Sequence, residues 1–127
     1  METEKPRLIS FPRINDPRGN LSFIQDKDQA PFEIKRVEWI YDFPADSNIL
    51  PRAYRYKHQL IFPLAGAVEV IVSSQDNTTT TFNLFKAYQG LYIPAGYTVT
   101  IHCRATNSVI VILSSTIDDP DSPDTLF

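Results

Sequence analysis

The chain has 127 residues, a net charge of −3, a pI of about 5.2, 43% hydrophobic residues and 21% charged residues. That is the size of one domain able to hide about two thirds of its unfolded surface, and the composition excludes a disordered chain. The acidic balance excludes nucleic acid as the expected partner. No apolar run reaches the roughly 20 residues that cross a bilayer, so no membrane partner is expected either.

Met1-Glu-Thr-Glu-Lys-Pro6 holds no apolar stretch that would read as a leader. Leu8-Ile-Ser-Phe11 reads as a first strand, and Asn15-Asp-Pro-Arg-Gly-Asn20 as a turn. Asn20 to Gln25 alternates, with Leu21 and Phe23 on one face. Phe32 to Asp42 reads as a longer strand, ended by Phe43-Pro44. Leu60–Leu64 and Ala67–Ser73 are strands joined around Gly66, and Ser74-Gln-Asp-Asn77 is a turn. Thr78–Leu84 contains four consecutive threonines, which favour a strand. Leu91–Pro94, Thr98–Cys103 and Ser108–Leu113 complete the set. Residues 116–127 carry Asp118, Asp119, Asp121 and Asp124 and read as an acidic tail.

No window shows a capped helical period. The fold class is therefore all-β, a single jelly-roll domain over 1–127 with its core over about 8–115 and its site at the open end of the barrel. The lone Cys103 cannot form an internal disulfide, which fits a cytoplasmic location. With only His58 and His102 beside it, a His/Cys metal cluster and a metal cofactor are not expected.

Arg52-Ala-Tyr54, Gln59 and Gly66 have the spacing of the first cupin motif, and Pro94-Ala-Gly96 with Val99 that of the second. The four positions where that motif carries metal ligands are Arg52, Tyr54, Gln59 and Val99 here. Three neutral side chains and an arginine do not hold a divalent cation.

Further segments point the same way. They are Asp16-Pro-Arg-Gly19, Leu21-Ser-Phe-Ile24, Pro31-Phe-Glu-Ile-Lys-Arg-Val37, Ile40-Tyr-Asp42, Gly90-Leu-Tyr-Ile-Pro94 and Val111-Ile-Leu-Ser114. With the cupin spacing, they make residues 8–115 resemble the WxcM-like (FdtA/QdtA-type) sugar 3,4-ketoisomerase family of cupins. The resemblance implies a metal-free jelly roll without cofactor, a homodimer with exchanged strands, and a dTDP-sugar in each barrel. It also implies migration of the keto group of dTDP-4-keto-6-deoxyglucose from C4 to C3.

The departures fall at the chemistry. The family's two histidines are replaced by Arg52 and Tyr54, and Glu38-Trp39 stand where it often has two tyrosines. Keto migration removes a proton from C3 and delivers one at C4. Arginine cannot accept a proton, but Arg52 can stabilise an enediolate or act on Tyr54 two residues away. Tyr54 and Arg52 are the candidate catalytic pair. Arg18, Arg36, Gln59 and Tyr92 are the candidate substrate-binding residues. Arg36 can equally pair with Glu33 or Glu38.

His58 alternates with Leu60 and Phe62 along an apolar strip, and His102 lies opposite in phase to Val99. Three readings remain open: an isomerase working through Tyr54 and Arg52, a nucleotide-sugar binding or partner module without turnover, and a cupin for another small carbohydrate-like ligand. Loss of turnover is the simplest reading of the replaced histidines.

Overall fold

The computed structural model describes residues 4–54 and 56–116, without the side chains of residues 50–52. Among these residues there are eleven strands and no helix. In chain order they are β1 (Arg7–Ser10), β2 (Arg13–Asp16), β3 (Gly19–Ser22), β4 (Arg36–Ile40), β5 (Asn48–Ala53), β6 (Gln59–Ala65), β7 (Val68–Ser73), β8 (Thr79–Leu84), β9 (Gln89–Ile93), β10 (Thr98–Cys103) and β11 (Val109–Ser114). A five-stranded sheet in the order β1-β9-β6-β11-β4 faces a four-stranded sheet in the order β5-β10-β7-β8. The β2–β3 hairpin forms a separate ladder.

Period-two patterning explains the four-stranded sheet. Val68, Val70 and Val72 of β7 and Val99, Ile101 and Cys103 of β10 are buried, while the residues between them are part-exposed. Most of these buried side chains meet Ile61, Leu91, Ile93, Ile110 and Ile112 from the opposite sheet. Each such burial contributes about 1.5–3 kcal/mol before entropy is counted.

The five-stranded sheet is covered on both faces. Its outer side carries a second cluster of Leu60, Phe62, Tyr92, Val111 and Leu113, packed by Phe11, Ala30, Phe32 and Ile34. Strands buried on both sides lose alternation, which is why β9 and β11 read as Leu91-Tyr-Ile93 and Val109-Ile-Val-Ile-Leu113.

The turn joining β6 to β7 depends on Gly66. Its φ is +81°, and a Cβ there would stand 2.1 Å from Ser108 Oγ. That hydroxyl accepts from the Ala67 amide at 3.1 Å and donates to the Ala105 carbonyl at 2.7 Å.

Three local expectations change. The long strand over Phe32–Asp42 is confined to Arg36–Ile40. Before it, the Ile34 amide is taken by the Asp26 carboxylate at 2.6 Å, a local bond that replaces a ladder bond. Strand β5 was not expected, because Pro51 lies inside it. It is an edge strand, where a missing amide is tolerated, and its register against β10 shifts between Val99 and Ile101. The alternation at Leu21 and Phe23 marks no buried face: β3 is exposed along its whole length. The acidic tail lies outside the described residues except for Thr116.

Candidate functional site

Between the two sheets lies a cavity of about 120 Å³. Its polar lining is Glu38, Tyr54 and Gln59, and its apolar wall is Ile40, Ile49, Ile61, Val99, Ile101 and Ile112. The strand ladders explain who faces it. Arg36, Ser114 and Gln59 form one cross-strand row over β4, β11 and β6, and Glu38, Ile112 and Ile61 form the next. Within β4, Arg36, Glu38 and Ile40 face inward and Val37 and Trp39 face out. An Arg36 Nη2 lies 3.5 Å from Glu38 Oε2.

Tyr54 is fixed from two sides. Its carbonyl accepts from the Gly96 amide at 2.8 Å, tying the first cupin-like segment to the Pro94-Ala-Gly96 turn. The Lys57 ammonium, buried at 3% exposure, lies 4.1 Å from the Tyr54 ring centroid.

The histidines do not reach the cavity wall. His58 points to the outer face of the five-stranded sheet, its ring stacked on Tyr92 with centroids 6.1 Å apart. Its Nδ1 lies 2.9 Å from the Tyr92 hydroxyl, which donates to the Glu4 carboxylate. The network is satisfied when His58 Nδ1 carries the proton and donates to the Tyr92 oxygen. Burial, then the Glu4 hydrogen bond and charge, push the Tyr92 hydroxyl well above the usual tyrosine range, and Arg7 over the ring opposes this. His102 points away from the cavity, with Nδ1 at 2.6 Å from Asn48 Oδ1 and Nε2 at 3.7 Å from Asp46.

Of the residues singled out from sequence, Tyr54 and Gln59 line the cavity, and Arg36 stands beside it through Glu38. The side chain of Arg52 lies outside the described residues; its backbone pairs with Val99 of the cavity wall. Arg18 and Tyr92 are placed elsewhere. Arg18 is exposed at the β2–β3 turn, its Nε 3.1 Å from Asp16. Tyr92 is buried on the outer face of the five-stranded sheet, among Leu60 and Phe62.

Two residues were missed. Glu38 reads from sequence as a replaced tyrosine and a surface partner of Arg36, and its inward position shows only in its pairing with Ile112. Lys57 carries no sequence signal, because it sits in the bend between β5 and β6 rather than in a patterned strand.

Comparison with known proteins gives a consistent family. Residues 4–122 match the FdtA family model, described as WxcM-like, C-terminal. A TDP-4-oxo-6-deoxy-alpha-D-glucose-3,4-oxoisomerase from Aneurinibacillus thermoaerophilus is 28% identical over 109 residues, 86% of this chain and 78% of that protein. The sugar 3,4-ketoisomerase QdtA from Thermoanaerobacterium thermosaccharolyticum, solved with TDP, is 26% identical with a TM-score of 0.89, over 96% of this chain and 87% of that one. A variant of QdtA solved with TDP-4-keto-6-deoxyglucose also superposes with a TM-score of 0.89, at 26% identity over 98% of this chain and 88% of that one. The TDP-quinovose 3,4-ketoisomerase WlaRB from Campylobacter jejuni shares the fold at 22% identity, with a TM-score of 0.86 over 93% of this chain and 90% of that one.

Proposed function

The chain belongs to the WxcM-like FdtA family, and from that premise we propose that it binds a dTDP-linked 6-deoxy-4-keto sugar with the sugar ring in the cavity between the sheets. The observation that carries this reading is the lining itself. Tyr54, Gln59 and Glu38 present hydroxyl, amide and carboxylate groups to sugar oxygens, and the isoleucines and Val99 present a dry wall to the 6-methyl group. At about 120 Å³ the cavity is smaller than the roughly 300–1,000 Å³ of a typical ligand site. It takes the sugar end, and the nucleotide lies at the mouth. Arg36, beside the cavity, is the cation assigned to that mouth, where phosphate oxygens need donors. Arg18 and Tyr92 leave the proposed site because their side chains are committed elsewhere.

Calorimetry with dTDP and with dTDP-4-keto-6-deoxyglucose tests the reading. Binding of both, tighter for the sugar nucleotide, is expected. Absence of binding at millimolar ligand contradicts it. The apolar share of the wall favours a second reading, a small carbohydrate-like ligand without a nucleotide. Native mass spectrometry of the purified protein would reveal such a ligand.

The working unit in this reading is a homodimer in the cytoplasm. Strand β4 is a sheet edge, and its outward Val37 and Trp39, with Tyr41 beyond, are 52%, 60% and 59% exposed. Beside it runs a groove of about 840 Å³ lined by Phe23, Val37, Phe62, Leu64, Phe85 and Leu113. The β2–β3 hairpin, exposed along both strands and bearing Ile14 and Leu21, supplies a matching apolar surface from a second copy. Light scattering is expected to give twice the 14.5 kDa chain mass. A monomer at micromolar concentration contradicts this part of the proposal.

A further inference from the structure

We propose that the Glu38 carboxylate is the proton carrier of the cavity, moving hydrogen between C3 and C4 of the bound sugar. The inference rests on the nucleotide-sugar reading above and adds turnover to it. Among the described residues lining the cavity, Glu38 is the only charged side chain. Neither histidine can take its place. The His58 ring is held by Tyr92 on the far face of the sheet, and His102 turns outward onto Asn48. Arg36, one cross-strand row away, orients a Glu38 oxygen at 3.5 Å. The geometry thus puts a carboxylate where the lost imidazoles leave no base, with the Tyr54 hydroxyl on the same lining.

A carboxylate is a competent base for a hydrogen next to a carbonyl. Glu38 takes the proton from C3, and the C–H electron pair becomes the C3=C4 double bond. The carbonyl pair moves to O4, which takes the proton of the Tyr54 hydroxyl, giving the enediol. The O3 hydroxyl then returns a proton to the Tyr54 oxygen as the C3 carbonyl forms. The double-bond pair at C4 takes the proton back from Glu38. Both side chains end as they began, and no oxidant or reductant is consumed. One carboxylate serving both carbons works on one face of the ring. The face that loses hydrogen at C3 of a gluco-configured ring therefore gains it at C4, after the carboxyl proton has exchanged with solvent, which leaves the C4 hydroxyl axial.

The test incubates wild type, Glu38→Gln and Glu38→Asp with dTDP-4-keto-6-deoxyglucose in D2O, followed by NMR, alongside calorimetry with dTDP. Expected are deuterium uptake and a 3-keto product with an axial C4 hydroxyl for wild type. Glu38→Gln should lose at least about 100-fold in exchange, Glu38→Asp should retain part of it, and dTDP affinity should stay within about threefold in both. Exchange by Glu38→Gln at the wild-type rate, or an equatorial C4 hydroxyl in the product, overturns the proposal. Wild type that binds both ligands but exchanges nothing also overturns it, while leaving the binding reading intact. Failure of wild type to bind either ligand removes both.

Discussion

On one face of β6, Gln59 and Ile61 look into a cavity whose lining includes one carboxylate, one phenol and one amide. On the other face, Leu60 and Phe62, with His58 just before the strand, pack against Tyr92 and Phe32. The two faces are one residue apart in sequence, yet they separate two kinds of polar chemistry. The outer network of His58, Tyr92 and Glu4 is internally satisfied and walled by aromatic rings, which is how a structural polar cluster behaves. The inner group faces the cavity between the sheets. The imidazole nearest in sequence to the site is held in the outer network, and the polar groups that face the cavity are those that share the inner face.

That contrast can be broken by substitutions that load one face and spare the other. The largest effect is expected at the turn that closes β6. Gly66→Ala meets an unfavourable backbone region and places a methyl 2.1 Å from Ser108 Oγ and 2.7 Å from Ser108 Cα, so the two turns must part. A loss of about 3 kcal/mol or more is expected by urea denaturation. A loss below about 1 kcal/mol would mean that the turn shifts freely.

A smaller effect is expected on the outer face. Tyr92→Phe removes the hydroxyl shared by His58 and Glu4 and should cost about 1–2 kcal/mol. Sugar-nucleotide affinity should not change, because Tyr92 lies behind the cavity wall. The pH dependence sharpens the point. The folded Tyr92 hydroxyl is pushed above its unfolded range, so above about pH 10 the unfolded chain sheds a proton that the folded chain keeps. The stability this group contributes is complete below that pH and falls as pH rises beyond it. Tyr92→Phe should flatten that alkaline decline in thermal melts recorded from pH 8 to 11, and an unchanged decline would assign it to other groups.

Much of the fold was legible. Strand β10 was read at its observed bounds because Val99, Ile101 and Cys103 alternate with polar residues against a solvated outer face. The Gly66 turn followed from local chemistry, and the cupin-like spacing from resemblance to a known motif. Part of what escaped has one physical origin: a sheet buried on both sides gives no alternation to say which way a side chain points. Tyr92 sits inside the run Leu91-Tyr-Ile93, where both neighbours are also buried, so its direction is decided only by what covers the sheet. Glu38 is the converse case. Its inward position follows from its register with Ile112, a long-range pairing that the strand's own residues do not reveal. Strand β5 was hidden by Pro51, which reads as a breaker until the strand is known to be an edge.

The most direct measurement is a crystal structure of the protein with dTDP-4-keto-6-deoxyglucose. The pyranose is expected between the sheets, with C3 and C4 facing the Glu38 carboxylate and Tyr54 within hydrogen-bond reach of O4. A sugar seated against His58 and Tyr92, or in the outer groove with the inner cavity left to water, would contradict it.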